Sequence, residues 1–260
     1  MLKVGVIGLG VGERHIAGFE GGGRARVTAL CDIDPVKLAE VGERHPGRRL
    51  TTDPGVILRA PDIDVVSIAS YDDAHHAQIM AALASGKHVF AEKPLCRSDG
   101  ELSQIAAALA SRPKLCLSSN LILRRVPRFL DLRAAIGRGE FGRIYYVEGD
   151  YNYGRLHKIV EGWRGRIPGY SVTLGGGLHL IDLILWLLDE RPDEVAAYGS
   201  GLASRGTPFG GSDLTVALLH FPSGRLAKVA SNFASMAPHH HNLTVYGTDA
   251  TFAHALQGAV

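Results

Sequence analysis

Cysteine is scarce in this chain of 260 residues: Cys31, Cys96 and Cys116 are all there is, an odd number with no C-x-x-C pair. With strand-like neighbours they read as buried thiols of a reducing compartment, not as a disulfide framework. An excess of one charge is missing too. The 28 basic residues nearly cancel the 26 acidic ones, which is too even for a nucleic-acid surface. The stretch holding Arg124, Arg125, Arg128 and Arg133 reads as a solvated helix face. Long apolar runs are lacking. The longest, near 178–188, is interrupted by His179 and Asp182 and is too short for a bilayer. The chain opens on Met1-Leu2-Lys3-Val4 without a signal-peptide core. These absences predict a cytoplasmic protein with neither a membrane nor a nucleic-acid partner.

What is present is an ordinary globular balance, 46% hydrophobic and 21% charged residues, in a chain long enough for two domains. The first half alternates. Apolar runs at Val4–Ile7, Val27–Leu30, Val65–Ile68 and His88–Ala91, with a further one at Leu115–Leu117, fit buried parallel strands. Helical stretches separate them, and Asp34-Pro35 opens one with a side-chain cap and a proline at the first helical position. The pattern implies a doubly wound Rossmann-type sheet over 1–120. Beyond it, over 121–260, come a helix at Val126–Ile136, a strand at Arg143–Tyr153, an apolar helix at Gly177–Leu188, and strands near 194–200, 213–221, 225–233 and 242–246. Pro222-Ser223-Gly224 is a hairpin turn. Hairpins in sequence predict an α+β domain with a largely antiparallel sheet.

Three places carry chemistry. Gly8-Leu9-Gly10-Val11-Gly12 follows the first strand and opens the first helix. Glycines belong there because the turn is tight and the backbone must approach a pyrophosphate, which then meets the helix N-terminus. Position 13, where a third glycine of G-x-G-x-x-G would stand, is Glu13. Asp32 lies 22 residues past Gly10, at the end of the second strand. A carboxylate there accepts hydrogen bonds from ribose hydroxyls and repels a 2′-phosphate, so NAD is expected over NADP. Glu92-Lys93-Pro94 closes a later strand, and the proline keeps Lys93 extended at the carboxyl end of the sheet. Trp163-Arg164, among Tyr151, Tyr153 and Tyr170, suits either a polyol or nucleotide-sugar site or hydrophobic cover over the sheet. His239-His240-His241 lacks zinc-site spacing and follows Pro238, so it reads as a surface loop with no metal.

These motifs together resemble the glucose–fructose oxidoreductase/inositol dehydrogenase/MocA-like family. The resemblance runs through Gly8-x-Gly10 with His15, Cys31-Asp32, Ile63-Asp64-Val65-Val66, His75, and Ala82 to Val89 into Glu92-Lys93-Pro94, and then through Asn120 to Arg124, Gly139 to Ile144 and Gly175 to Asp182. It implies hydride transfer between NAD and a secondary alcohol of a sugar, cyclitol or nucleotide-sugar, in a homo-oligomer. Lys93, His179 and Asp182 would be catalytic. Gly8, Gly10, Gly12, Asp32, Ser70, His75, Glu92 and Lys93 would hold the cofactor, and Asn120, Arg124, Trp163, Arg164 and His179 the substrate. An aspartate common in the family four residues before the histidine is Gly175 here. The family continues past the strand at Val245–Thr248, so the second domain is expected to be shortened, either by nature or as part of a longer chain. The rival reading is a non-catalytic dinucleotide sensor of the same fold. Retention of Lys93 and His179 favours the enzyme.

Overall fold

A computed structural model describes residues 1–254. The chain divides into two compact units, Met1–Asn120 and a second beginning at Leu121. In the first, the elements alternate as β1 (Leu2–Ile7), α1 (Gly12–Glu20), β2 (Ala25–Cys31), α2 (Pro35–Arg44), β3 (Arg49–Thr51), α3 (Pro54–Leu58), β4 (Val65–Ile68), α4 (His75–Ala84), β5 (His88–Ala91), α5 (Asp99–Ala110) and β6 (Leu117–Ser119). The six strands are all parallel in the order β3-β2-β1-β4-β5-β6. The order reverses between β1 and β4, and ligands of such sheets bind beyond the carboxyl ends at that switch.

Side-chain alternation explains why these strands are buried on both faces. Val4 and Val6 of β1 join Ile16, Leu38 and Val41 of α1 and α2. Ile7 of the same strand joins Ile57, Ile79, Leu83 and Ile105 from α3, α4 and α5 on the other side. Asp34 caps α2 as expected, accepting from the Val36 N–H at 2.9 Å. The last strand is displaced from its expected place. β5 pairs Val89 with Leu117, so β6 begins there, and Leu115 packs sideways against the core. The cysteine reading is corrected as well. Cys31 is buried, and its thiol is pushed up to about 12 by burial and by Asp32. Cys96 is half-buried and Cys116 is exposed.

The second unit runs α6 (Pro127–Gly137), β7 (Ile144–Asn152), α7 (His157–Val160), α8 (Leu178–Leu188), β8 (Glu194–Ser200), β9 (Leu214–His220), β10 (Leu226–Asn232), β11 (His240–Gly247) and β12 (Thr251–His254). Its sheet has the order β12-β11-β7-β10-β9-β8, antiparallel except for the parallel β7–β10 pair. It is therefore mixed and mostly antiparallel. One face carries the core: Val147, Val229, Leu243 and Val245 pack with Leu180, Leu183, Ile184 and Leu187 of α8 and Phe129 and Leu132 of α6. The opposite face leaves Tyr198, Val216, Leu218 and Leu226 exposed.

The arginine-rich stretch is not simply solvated. Arg133 donates to the Trp186 carbonyl at 2.7 Å and stacks 4.3 Å from the Trp186 ring centroid. Arg124 pairs with Asp182. These half-buried guanidiniums fasten α6 and the turn before it to α8. No helix among the described residues is long and apolar enough to cross a membrane.

Candidate active site

In the first unit the functional side chains gather at the carboxyl edge of the sheet. Gly8 has φ +85°, and a Cβ there would run into the Ala69 carbonyl, so only glycine makes this turn. Gly12 packs α1 against Val6 and Ala69 at 3.0 and 3.1 Å from its Cβ position. Gly10 faces open space: among the described residues, only the Lys37 ammonium stands within 4 Å of its Cβ position, at 3.4 Å. The helix N-terminus beside it has no side-chain cap, so its first N–H groups remain for an anion. Glu13, in the place of the missing glycine, is bound to Arg44 at 2.8 Å. This is the cradle a dinucleotide pyrophosphate requires, and the residues present fit it.

Asp32 is buried. It accepts from the Leu9 N–H at 2.7 Å and the Asp34 N–H at 3.0 Å, tying the glycine turn to the end of β2. The carboxylate still has acceptor capacity for a ribose.

Glu92 sits at the end of β5 in a chain of hydrogen bonds. His15 Nε2 approaches Glu92 Oε1 at 3.1 Å and His15 Nδ1 meets Ser67 Oγ at 2.9 Å. Asn120 Nδ2 donates to the same carboxylate oxygen at 2.7 Å. Burial pushes the Glu92 carboxyl up, but His15, Asn120 and the Lys93 charge outweigh that and hold it below the usual range. The next residue is Lys93, followed by a cis peptide to Pro94.

Two of the expected ligand residues are also held within this edge of the sheet. Asn120 turns its amide to Glu92 and braces that carboxylate. His75 is 1% exposed, with Nδ1 at 2.7 Å from the Pro94 carbonyl and Nε2 at 3.1 Å from the Ser70 carbonyl. Both ring nitrogens face main-chain carbonyls, so His75 ties the loop after β4 to the turn at Pro94. The Ser70 hydroxyl donates to Gln78 at 2.8 Å.

In the second unit the site is built around Tyr151. The helix expected from Gly177 instead continues from a π-helical turn, Thr173–Gly177, directly into α8. π-turns inside helices recur at functional sites. The glycines are there for close approach: a Cβ at Gly175 would strike the Tyr170 hydroxyl, one at Gly176 the Tyr151 ring, one at Gly177 the Ser231 hydroxyl. An aspartate at 175 has no room beside Tyr170. The helical chain begins before the glycines, so His179 lies beyond its opening turn.

His179 is buried, its ring stacked at 6.3 Å from Tyr151. Asp182, one turn on, gives both carboxylate oxygens to the Arg124 guanidinium, with Nε to Oδ2 at 2.7 Å. Trp163-Arg164 lies in a 3-10 turn, Trp163–Arg166, with the guanidinium 4.4 Å from the indole centroid.

The histidine triplet is corrected. His240 and His241 begin β11 and are half-buried. His241 packs 5.0 Å from Tyr151 and 6.3 Å from His179, centroid to centroid. Burial, with its histidine neighbours, pushes His241 down to about 4. The readable signal was parity: Tyr151 and Tyr153, like His239 and His241, are two apart, and their rings meet at a strand end and just beyond it. His15 entered only as part of the resemblance, without a role, and Lys37 was missed. Both lie on the inner approaches of the first two helices, where three-residue spacing from Gly12 and from Asp34 places them.

Comparison with known proteins agrees with this geometry. Residues 2–120 match "Oxidoreductase family, NAD-binding Rossmann fold", and residues 129–253 match "GFO/IDH/MocA C-terminal domain". Inositol 2-dehydrogenase of Acidothermus cellulolyticus is 29% identical over 227 residues, 84% of this chain and 61% of that protein. The chain thus spans about three fifths of the length of such relatives. Two solved structures share the fold. Myo-inositol 2-dehydrogenase from Lactobacillus plantarum superposes with a TM-score of 0.89 at 22% identity, over 97% of this chain and 76% of that one. Scyllo-inositol dehydrogenase from Lactobacillus casei, solved with NAD(H) and scyllo-inositol, gives 0.87 at 22% identity, over 98% and 76%. With both halves matched in order, the chain belongs to the GFO/IDH/MocA family of oxidoreductases.

Proposed function

We propose that this protein is an NAD-dependent oxidoreductase that transfers hydride between the cofactor and a secondary alcohol of a sugar, cyclitol or nucleotide-sugar. The observation that carries the reading is Lys93. It follows a carboxylate fixed by His15 and Asn120, at the carboxyl end of β5 in a sheet whose glycine turn has room for a pyrophosphate. In this reading 1–120 is the dinucleotide-binding domain and 121–260 the substrate and oligomerisation domain. Inositol dehydrogenases among the relatives support the polyol class.

Gly8, Gly10 and Gly12 let the backbone approach the phosphates, and the α1 N–H groups and Lys37 complement their charge. Asp32 receives the adenosine ribose. When bound, NAD supplies the hydride acceptor. During alcohol oxidation His179 takes the hydroxyl proton on its imidazole. Lys93 places a positive charge at the oxygen as it becomes alkoxide. Asp182 and Arg124 act as a positioning pair that holds α8, with Trp163 and Arg164 beside the substrate.

A panel of sugars, cyclitols and nucleotide-sugars, followed by absorbance of NADH, tests the reading. Reduction of NAD by at least one member is expected. Tight NADH binding with no turnover in either direction across the panel would make the chain a dinucleotide sensor.

NADH should bind at least about tenfold tighter than NADPH, because a 2′-phosphate would stand against the buried Asp32 carboxylate and tenfold is only about 1.4 kcal/mol. Fluorescence titration measures both, and equal affinities would remove Asp32 from the ribose site.

The homo-oligomer belongs to the same proposal. Tyr198 is 86% exposed on the open sheet face beside Val216 and Leu218, an apolar surface suited to a second copy. Light scattering is expected to show an oligomer that Leu218→Lys dissociates; a wild-type monomer would overturn this.

A further inference from the structure

We infer that the substrate carries an anionic group, a carboxylate or a phosphate ester, held by Arg155 and Arg164 at the rim of the Tyr151–His179 cluster. The inference rests on the oxidoreductase reading above and narrows its substrate class.

The charge is local and one-sided. Residues 155–166 hold four Lys or Arg (Arg155, Lys158, Arg164, Arg166) and one acid, Glu161. Other arginines have counter-charges: Arg48 has Glu20, Arg49 has Asp62, Arg124 has Asp182 and Arg225 has Glu190. Among the described residues, neither the Arg155 nor the Arg164 guanidinium makes an ion pair or donates a hydrogen bond. Each lies instead on an aromatic face, Arg155 at 5.3 Å from the Tyr153 centroid and Arg164 at 4.4 Å from that of Trp163. Stacking engages the flat face of a guanidinium and leaves its in-plane N–H fork for a planar or tetrahedral anion.

Both charges reach the cluster that holds His179. Tyr151 stacks with Tyr153 at 6.0 Å and with His179 at 6.3 Å. Burial and Tyr153 push the Tyr151 hydroxyl up, and Arg164 and Arg155 pull against them. Burial, and after it Arg155, lowers His239, and His241 lies at about 4. Near neutral pH those two imidazoles are uncharged, so the permanent positive charge on this rim comes from the arginines. A neutral polyol satisfies tyrosines and imidazoles but leaves that fork unused.

The test compares NAD reduction by D-glucuronate and D-glucose 6-phosphate with that by D-glucose and myo-inositol, at matched ionic strength because surface attraction is screened by salt. In parallel, thermal shifts with the same four compounds report binding without turnover. At least one anionic compound is expected to exceed the neutral ones about tenfold in kcat/KM, and which one wins separates carboxylate from phosphate recognition. In R155Q/R164Q its KM should rise about tenfold per lost charge-assisted contact with kcat within about threefold, and R155K/R164K should recover part of it. If anions stabilise the wild type and not R155Q/R164Q while no NADH forms, the anion site stands and the oxidoreductase reading fails. Neutral compounds used or bound as well as anionic ones, or an unchanged KM and thermal shift in R155Q/R164Q, would overturn the inference.

Discussion

Lys93→Met is expected to lower kcat by about 10²–10³ or more while NADH affinity stays within about threefold. Methionine keeps the length and apolar stem of lysine and removes its charge. In the proposed chemistry that charge is needed only as the substrate oxygen becomes an alkoxide, and a preorganised positive group at such an oxygen is worth about 10²–10³ in rate or more. The cofactor end of the site does not depend on it. The glycine turn is held by Asp32 through the Leu9 N–H, and Glu92 keeps its bonds from His15 and Asn120 when its neighbour changes. Steady-state rates with an active substrate and NADH fluorescence titrations on the same preparation separate the two effects. Parallel loss of affinity and turnover would make Lys93 a cofactor-binding or folding residue. Asn120→Ala offers a contrast of another kind. It leaves the Lys93 charge in place and loosens Glu92, so its effect should be the smaller.

The parts of the fold that were legible from sequence are those whose signal is local. β4 and β5 are continuous apolar runs because both faces of a parallel sheet are covered, and both begin and end where the pattern put them. The α2 cap was readable because Asp34, Pro35 and the N–H groups it serves are neighbours in the chain. What escaped depended on partners distant in sequence. β6 slid two residues from its apolar run because β5 sets the register of Leu117. Asp182 was singled out with His179 on the same helix, but the partner of its two oxygens is Arg124, 58 residues earlier. The cause of the three glycines before His179 is the bulk of Tyr170, Tyr151 and Ser231, brought there from other elements. The histidines at 239–241 were hidden by Pro238, which suggested a turn where β11 in fact begins two residues later. In each case the residue type was noticed, and its role was set by a neighbour the spacing does not reveal.

His179→Asn carries the second large effect. A positioned acid–base group contributes about 10²–10⁴ to a proton transfer, and kcat is expected to fall by that range. Asparagine keeps a polar, hydrogen-bonding side chain of similar reach, so the packing against Tyr151 and His241 suffers little. The diagnostic is the pH profile. A protonated imidazole cannot accept the hydroxyl proton, so wild-type alcohol oxidation should lose rate as the pH falls through one ionisation. That limb should vanish in the variant. Other titrating groups face the same space and have to be separated from it. His241, at about 4, is uncharged well before the limb would begin, and His239 is lowered by burial and by Arg155. Neither should generate an acid limb near neutrality. His241→Gln is therefore expected to keep the wild-type limb even if its rate drops through lost packing. A His179→Asn protein with near wild-type kcat and an unchanged acid limb would show that another group takes the proton. Lys93, the other titratable group assigned to the reacting oxygen, would then have to act as the base in place of its charge-stabilising role, and Lys93→Met would lose the limb along with the rate.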